Sequence, residues 1–262
     1  MSWKIDRLDD VAVVTMHTDS SEEKEWAFFR DLGELCDRLD DEFPTCAVVL
    51  TGGQGGFSGG LDYERTLDLF GRRDVDELRG WFARFRTTIL RLFTLPRPTI
   101  AALGGDTLAA DLVLACACDF RISVAEGTRI GLNGVRHGVP LPSVGVELMK
   151  YAVGSRAAAS SALSGQLYDP PAALALGLVH RLAPAAELLE QTLDWARNLP
   201  ARSRAAYAQT KHLLQAETLE RMEHLSAPLD SSLLATFFSD ANLEAQAGAR
   251  ERVEPIPKTW RR

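Results

Sequence analysis

The apolar positions of this chain switch between a period of two and a helical period several times. Residues 3–9 alternate apolar with polar and residues 11–16 form a β-branched run, which predicts two strands about a turn at Leu8-Asp9-Asp10. Trp26, Phe29, Leu32, Leu35, Cys36 and Leu39 recur at helical spacing. Ser20 and Ser21 are candidate N-caps for that helix, and Glu22 and Glu23 suit its first turn. Its end is expected near Asp41, before Phe43-Pro44. Residues 47–51 read as a buried strand. Asp74 is placed to cap a helix whose stripe of Leu78, Trp81, Phe82, Phe85, Ile89, Leu92 and Phe93 reads as core, with Pro96 and Pro98 as its stop.

Residues 99–103 form another apolar strand, ending in Gly104-Gly105, and 119–124 alternate like a strand. Between them, 108–118 are apolar except for Asp111. A lone charge in such a run is costly to bury, so Asp111 is expected to face solvent, to be partnered or to be functional. Residues 128–141 look like a loop carrying Arg136 and His137. Helices are expected over 143–152 and 155–163, and Asp169-Pro170-Pro171 opens a third that Gly177 ends. A strand over 178–182 follows. From Ala185 the chain is mostly helical, with breaks near Pro200, Pro228 and Ser239. Interleaved strands and helices followed by helices alone predict an α/β fold with a helical C-terminal region. No repeat or linker divides the chain, so 1–200 is expected to form the core and 201–262 a helical extension of one continuous unit.

Composition narrows the function. A net charge of −7 argues against general nucleic-acid binding, though not against a small anionic ligand held by local cations. Cys36, Cys46, Cys116 and Cys118 make no disulfide framework, and Cys116-Ala-Cys118 has the wrong spacing for a zinc knuckle, so reduced thiols and no metal are expected. No signal pattern and no apolar run of about 18–20 residues is present, which predicts a soluble, cytoplasmic protein with no membrane partner.

The candidate chemistry centres on residues 52–62, GGQGGFSGGLD, where a β-branched strand runs into six glycines within nine residues. Such a turn needs conformations or approaches that only residues without a Cβ reach cheaply, and its exposed N–H groups suit negative charge. A Walker-type phosphate loop would need a lysine, and none lies between Lys24 and Lys150. Gly53 and Gly56 fit a dinucleotide fingerprint only loosely.

The stretch AVVLTGGQGGFSGGLD resembles the crotonase (enoyl-CoA hydratase/isomerase) pattern VVLTGxGxxFxAGxD. RPTIAALGGDTLAADLVLACACDFRIS resembles that family's KPxIAAVxGxAxGGGxxLAxxCDxRIA block. IGLNGVRHGVPLP resembles FGxPExxxGxxP, and LSGQLYDPPAALALGLVHRLAP resembles LTGxxxxAxxAxxxGLVxxVxP. The tail SDANLEAQAGARERVEPIPKTW is similar to the family's usual ending, so the resemblance runs through nearly the whole chain in register.

The resemblance implies a spiral of ββα units with a C-terminal trimerisation region, a homotrimer or hexamer, and an acyl-CoA thioester as substrate. Coenzyme A then arrives as part of the substrate, and no cofactor is bound permanently. It also implies a backbone oxyanion hole from the N–H groups of Leu61 and Ala110. In place of the family's Gly-Gly-Gly stands Ala109-Ala110-Asp111. The positions of the two hydratase glutamates match Val113 and Gly134, neither of which transfers protons. Asp111 and His137 are therefore the expected substitutes, histidine being a residue type that titrates near neutrality. A partnered carboxylate and a loop histidine are the plainer readings of the two. Arg136, Asp62, Tyr63 and Asp106 flank the same turns, with Asp62 read as turn chemistry. Lys24, Arg65 and Lys258 are the expected coenzyme A contacts, although such residues are more often ordinary surface charges. Trp81, Phe82 and Phe85 are expected to border the acyl pocket as well as the core.

Overall fold

The computed structural model describes residues 2–17, 24–52, 57, 74–199 and 203–244, and the side chains of 2, 17 and 24–31 are excluded. Strands β1 (Ser2–Leu8) and β2 (Val11–His17) form an antiparallel hairpin about the expected turn, where Asp9 takes a positive φ of 56°. Asp tolerates that conformation better than most residues. Helix α1 (Lys24–Glu42) leads into β3 (Ala47–Gly52), α2 (Val75–Phe93) and β4 (Thr99–Leu103). Asp74 accepts from Asp76 N and Glu77 N, the cap its position predicts, and every member of the α2 stripe is buried.

With β6 (Phe120–Val124) and β8 (Arg181–Ala183), these strands make a six-stranded sheet of order β1-β2-β3-β4-β6-β8, parallel from β2 onward. Both of its faces are covered, so β3 and β4 bury nearly every residue instead of alternating. Val48, Leu50, Ala101 and Leu103 share one core with α1, α2 and α4 (Ser143–Ser164). Val49, Ile100 and Ala102 face Leu188, Leu193 and Ala196 at or near α6 (Leu188–Asn198).

The expected strand over 178–182 forms three residues late. Leu178 N and Val179 N both turn back to Ala173 O of α5 (Pro170–Leu176), at 2.9 and 3.4 Å. The Leu178 carbonyl accepts from the buried Arg121 Nε at 2.7 Å. With those groups engaged, ladder pairing starts only at His180 N, which donates to Arg121 O. The two expected helices are present as the two arms of α4, separated by a kink at Gly154, whose φ of 77° and ψ of 157° are not helical. The last long helix, α7 (Arg204–Phe237), runs through Pro228 where a break was expected, and ends before Ser239 where one was also expected. Proline's missing N–H and its clash with the preceding turn cost a helix about 3 kcal/mol. Apolar burial of Met222 before Pro228 and of Leu233, Leu234 and Phe237 after it offsets that here.

Four donors on one carboxylate fix α7 to the sheet. Asp119 Oδ2 accepts from Thr99 N at 2.9 Å, Thr99 Oγ1 at 3.1 Å and Tyr207 OH at 2.9 Å. Lys211 Nζ lies 2.8 Å from Oδ1, and the lysine side chain is 5% exposed. Burial, then the Asp119 charge and hydrogen bond, push the Tyr207 phenol up, so it stays a donor. Among the described residues no helix is long and apolar enough to cross a membrane. Asp119→Ala is expected to lower the unfolding free energy by about 3–5 kcal/mol, because it strands a buried lysine. Urea denaturation followed by circular dichroism checks this, and a loss below about 1 kcal/mol would put the cluster in the class of exposed ion pairs.

Candidate functional site

Two short strands outside the main sheet bring the candidate residues together. After Gly104-Gly105, β5 (Thr107–Leu108) pairs in parallel with β7 (Ile130–Gly131), and Ala109 N extends the ladder to Gly131 O at 3.1 Å. Asp106 fastens this arrangement: its Oδ1 accepts from Arg129 N at 2.7 Å and from Thr128 Oγ1 at 3.3 Å. Asp106 is thus a structural carboxylate.

The backbone then turns sharply into α3 (Ala110–Cys116). Ala109 is its N-cap, at φ 50° and ψ −116°, and makes no side-chain cap. The positive φ that the glycine-rich pattern requires thus falls on Ala109 and not on Ala110, which is already helical and carries no such strain. A Cβ in that region costs on the order of 1–3 kcal/mol. The result is an uncapped helix start, and among the described residues nothing accepts from the Ala110 N–H. Asp111 is half-buried in the same first turn and is not a free side chain.

Across the β5–β7 ladder, a 3₁₀ turn spans Gly134–His137, closed by Gly138 at φ 68°. The Asn133 amide donates to His137 Nε2 at 3.3 Å, making Nε2 an acceptor in that contact, and His137 has further company. Arg136 is drawn away from the turn: its Nε donates to Ser164 O at 2.9 Å, and its side chain lies over Gly165. A Cβ on Gly134 would sit 2.7 Å from Val139 O, so the backbone itself demands glycine there. Val113 is 4% exposed, and a Cβ on Gly145 would meet its Cγ2 at 3.2 Å, which places it tight against the first turn of α4. Ala110, Val139 and Leu141 form a half-buried apolar border.

The thiols take no part. All four cysteines are free and buried. Burial, only partly offset by Arg91, pushes Cys36 up to about 11, and burial with Asp119 pushes Cys118 up to about 12. Neither supplies thiolate at neutral pH. Among the described residues no cluster of His, Cys, Asp and Glu could hold a metal ion.

The enoyl-CoA hydratase/isomerase family model matches residues 9–261. The chain belongs to the enoyl-CoA hydratase/isomerase family. This crotonase-family chain is 34% identical over 186 residues to a candidate enoyl-CoA hydratase of Thermus thermophilus, covering 70% of this chain and 71% of that one. It is 27% identical over 212 residues to a hydroxycinnamoyl-CoA hydratase-lyase of Pseudomonas fluorescens, covering 78% and 76%. The human mitochondrial Δ3-Δ2-enoyl-CoA isomerase superimposes with a TM-score of 0.85 at 22% identity, over 97% of this chain and 98% of that one, which shows a shared crotonase fold.

Of the expected site residues, the structure brings Ala110, Asp111 and His137 onto adjoining segments. Leu61, Asp62, Tyr63, Arg65 and Lys258 lie outside the described residues, and Lys24 opens α1 with its side chain likewise outside them. Sequence reasoning missed Asp230 and Asn242, which reach residues 138–143 from the C-terminal region. The only local signal was Pro142, a helix start with no side-chain cap of its own.

Ala109→Gly is expected to stabilise the protein by about 1 kcal/mol, the strain relieved less the added chain entropy. Gly134→Ala is expected to destabilise it by about 1–3 kcal/mol through the Val139 carbonyl. Thermal unfolding of both variants checks the pair, and the opposite signs would overturn this account of the turns.

Proposed function

We propose that this crotonase-family protein acts on an acyl-CoA thioester, with the Ala110 and Leu61 N–H groups as oxyanion donors for the enolate. The observation that carries this reading is the Ala109 turn. An alanine is held where glycine would be cheaper, and among the described residues the turn leaves the Ala110 N–H without an acceptor at a helix start. Preorganised donors of this kind are typically worth on the order of 10²–10³ in rate each. The names of the relatives, an enoyl-CoA hydratase and a hydroxycinnamoyl-CoA hydratase-lyase, support the substrate class.

The reaction we assign is not ordinary hydration. The positions matched to the two glutamates hold a packed valine and a glycine that cannot accept a Cβ without moving backbone. Proton transfer falls instead to Asp111 or His137, on the two segments joined by the β5–β7 ladder. Enolate chemistry of that kind covers isomerisation, thioester hydrolysis, retro-aldol cleavage and decarboxylation. Lys24, Arg65 and Lys258 remain the proposed contacts for the coenzyme A phosphates. Leu213, Leu214, Leu225 and Leu229, all exposed on α7, support the proposal that this helix packs against further copies of the chain in a trimer.

A second reading is a family member that binds acyl-CoA without turnover. The close fit around Val113 and Gly134 favours it, since neither position accommodates a carboxylate as built.

The test is incubation with crotonyl-CoA, 3-enoyl-CoA and 3-hydroxyacyl-CoA series, followed by mass spectrometry. Turnover is expected from at least one series other than crotonyl-CoA hydration, and Asp111→Asn or His137→Ala is expected to reduce it by about 10²–10⁴-fold. Unchanged turnover in both variants overturns their roles. Binding without turnover establishes the second reading, and rapid crotonyl-CoA hydration overturns the argument from the glutamate positions.

A further inference from the structure

The strap that carries Gly134–His137, residues 133–142, is held at its far end by two residues that enter from the C-terminal region. Asn242 Nδ2 donates to Gly138 O at 2.8 Å, on the residue that closes the 3₁₀ turn. Asp230, on α7, accepts from Ser143 N at 2.9 Å through Oδ1, where the strap enters α4. Its Oδ2 accepts from Arg86 Nη1 of α2 at 3.0 Å. One carboxylate thus joins α2, α4 and α7. Helix α4 starts at Pro142, which has no side chain able to cap it, so its cap comes from a residue 87 positions away. At its near end the strap is held by Arg136 on Ser164 O and, across its own turn, by Val139 N on Gly134 O at 2.9 Å.

This arrangement is more than a fold contact. An Asp buried to 6% exposure costs desolvation, and a Ser, Asp or Asn at 142 would cap α4 without it. What the distant carboxylate adds is orientation: it sets the angle at which the strap leaves α4, and Asn242 sets the height of Gly138. His137 sits between those two fixed points and the β5–β7 ladder. We infer that Asp230 and Asn242 are positioning residues for the site, holding the strap so that His137 faces the Ala110–Asp111 turn. The inference rests on the reading of that turn and strap as the site.

Hydrogen exchange by mass spectrometry and steady-state kinetics test it together, on Asp230→Ala, Asp230→Asn, Asn242→Ala and, as a control, Asp74→Ala. Asp230→Ala and Asn242→Ala are expected to speed exchange across residues 134–146 by about tenfold or more. Asp74→Ala, which removes only the exposed N-cap of α2, should leave that segment protected. With whichever acyl-CoA the wild type converts, kcat is expected to fall by up to about 10²-fold while KM stays within about twofold, the pattern of misplaced chemistry rather than lost binding. Asp230→Asn keeps an oxygen for Ser143 N but turns an amide N–H towards Arg86, so it should recover part of kcat. If Asp230→Ala does not fold, Asn242→Ala carries the same comparison at a half-buried position. Unchanged exchange over 134–146 overturns the inference, and so does a loosened strap with unchanged kcat and KM. If the wild type converts no acyl-CoA, the functional reading fails by itself. Crotonyl-CoA is then the probe: protection of 134–146 in the wild type but not in Asp230→Ala supports the positioning role, and no such difference overturns it.

Discussion

The Asp119 carboxylate is the contact on which the working parts of the molecule depend. It sits just before β6, takes two hydrogen bonds from the first residue of β4, and takes two more donors from α7. A largely buried carboxylate holding four donors tolerates little loss, because removing Lys211 leaves an uncompensated charge and removing a neutral donor leaves an unmet acceptor. The sheet and the C-terminal helix are therefore joined at a point that tolerates little slippage. Helix α7 then continues for more than four turns to Asp230, which reaches the start of α4 and the strap bearing His137. A second ionic junction, Glu147 with Arg221 and Lys150, secures the same two helices between these points. Burial by itself would raise the Glu147 carboxyl, but its two cationic partners bring it below the ordinary range.

At the other side of the site the controlling quantity is backbone conformation. Ala109 accepts a strained φ so that the first turn of α3 begins uncapped, and Gly134 is fixed by a carbonyl too close for any Cβ. The two segments meet through only a two-residue parallel ladder, extended by Ala109 N to Gly131 O. A ladder that short would fray without support. Asp106 on one side, through Thr128 and Arg129, and Tyr168 on the other, paired with Ile130, supply it. Among the described residues these two segments carry the Ala110 N–H, the Asp111 carboxyl and the His137 imidazole.

Most of the fold was legible because periodicity reports burial directly. The α2 stripe, the Asp74 cap, the Gly154 interruption and the Asp169-Pro170 start each carry their signal within a few residues. Two features were not legible. Residues 178–179 are as apolar as a strand, yet Arg121 from β6 and the end of α5 claim their polar groups. Pro228 reads as a helix break, yet packing on both sides carries the helix past it.

The same division holds for the site. The sequence by itself determined the family, the glycine-rich segments, and the absence of a proton-transferring side chain at 113 and 134, because these are matters of residue identity in a fixed order. It also singled out Ala110, Asp111 and His137. Only the tertiary structure decided that the strain falls on Ala109, that Gly134 is required by the Val139 carbonyl, and that Asp106 is a fastening residue. Nor does anything near Pro142 foretell that its helix is capped from position 230. That pairing exists because two helices distant in sequence are brought side by side, and contact between distant segments leaves no local pattern.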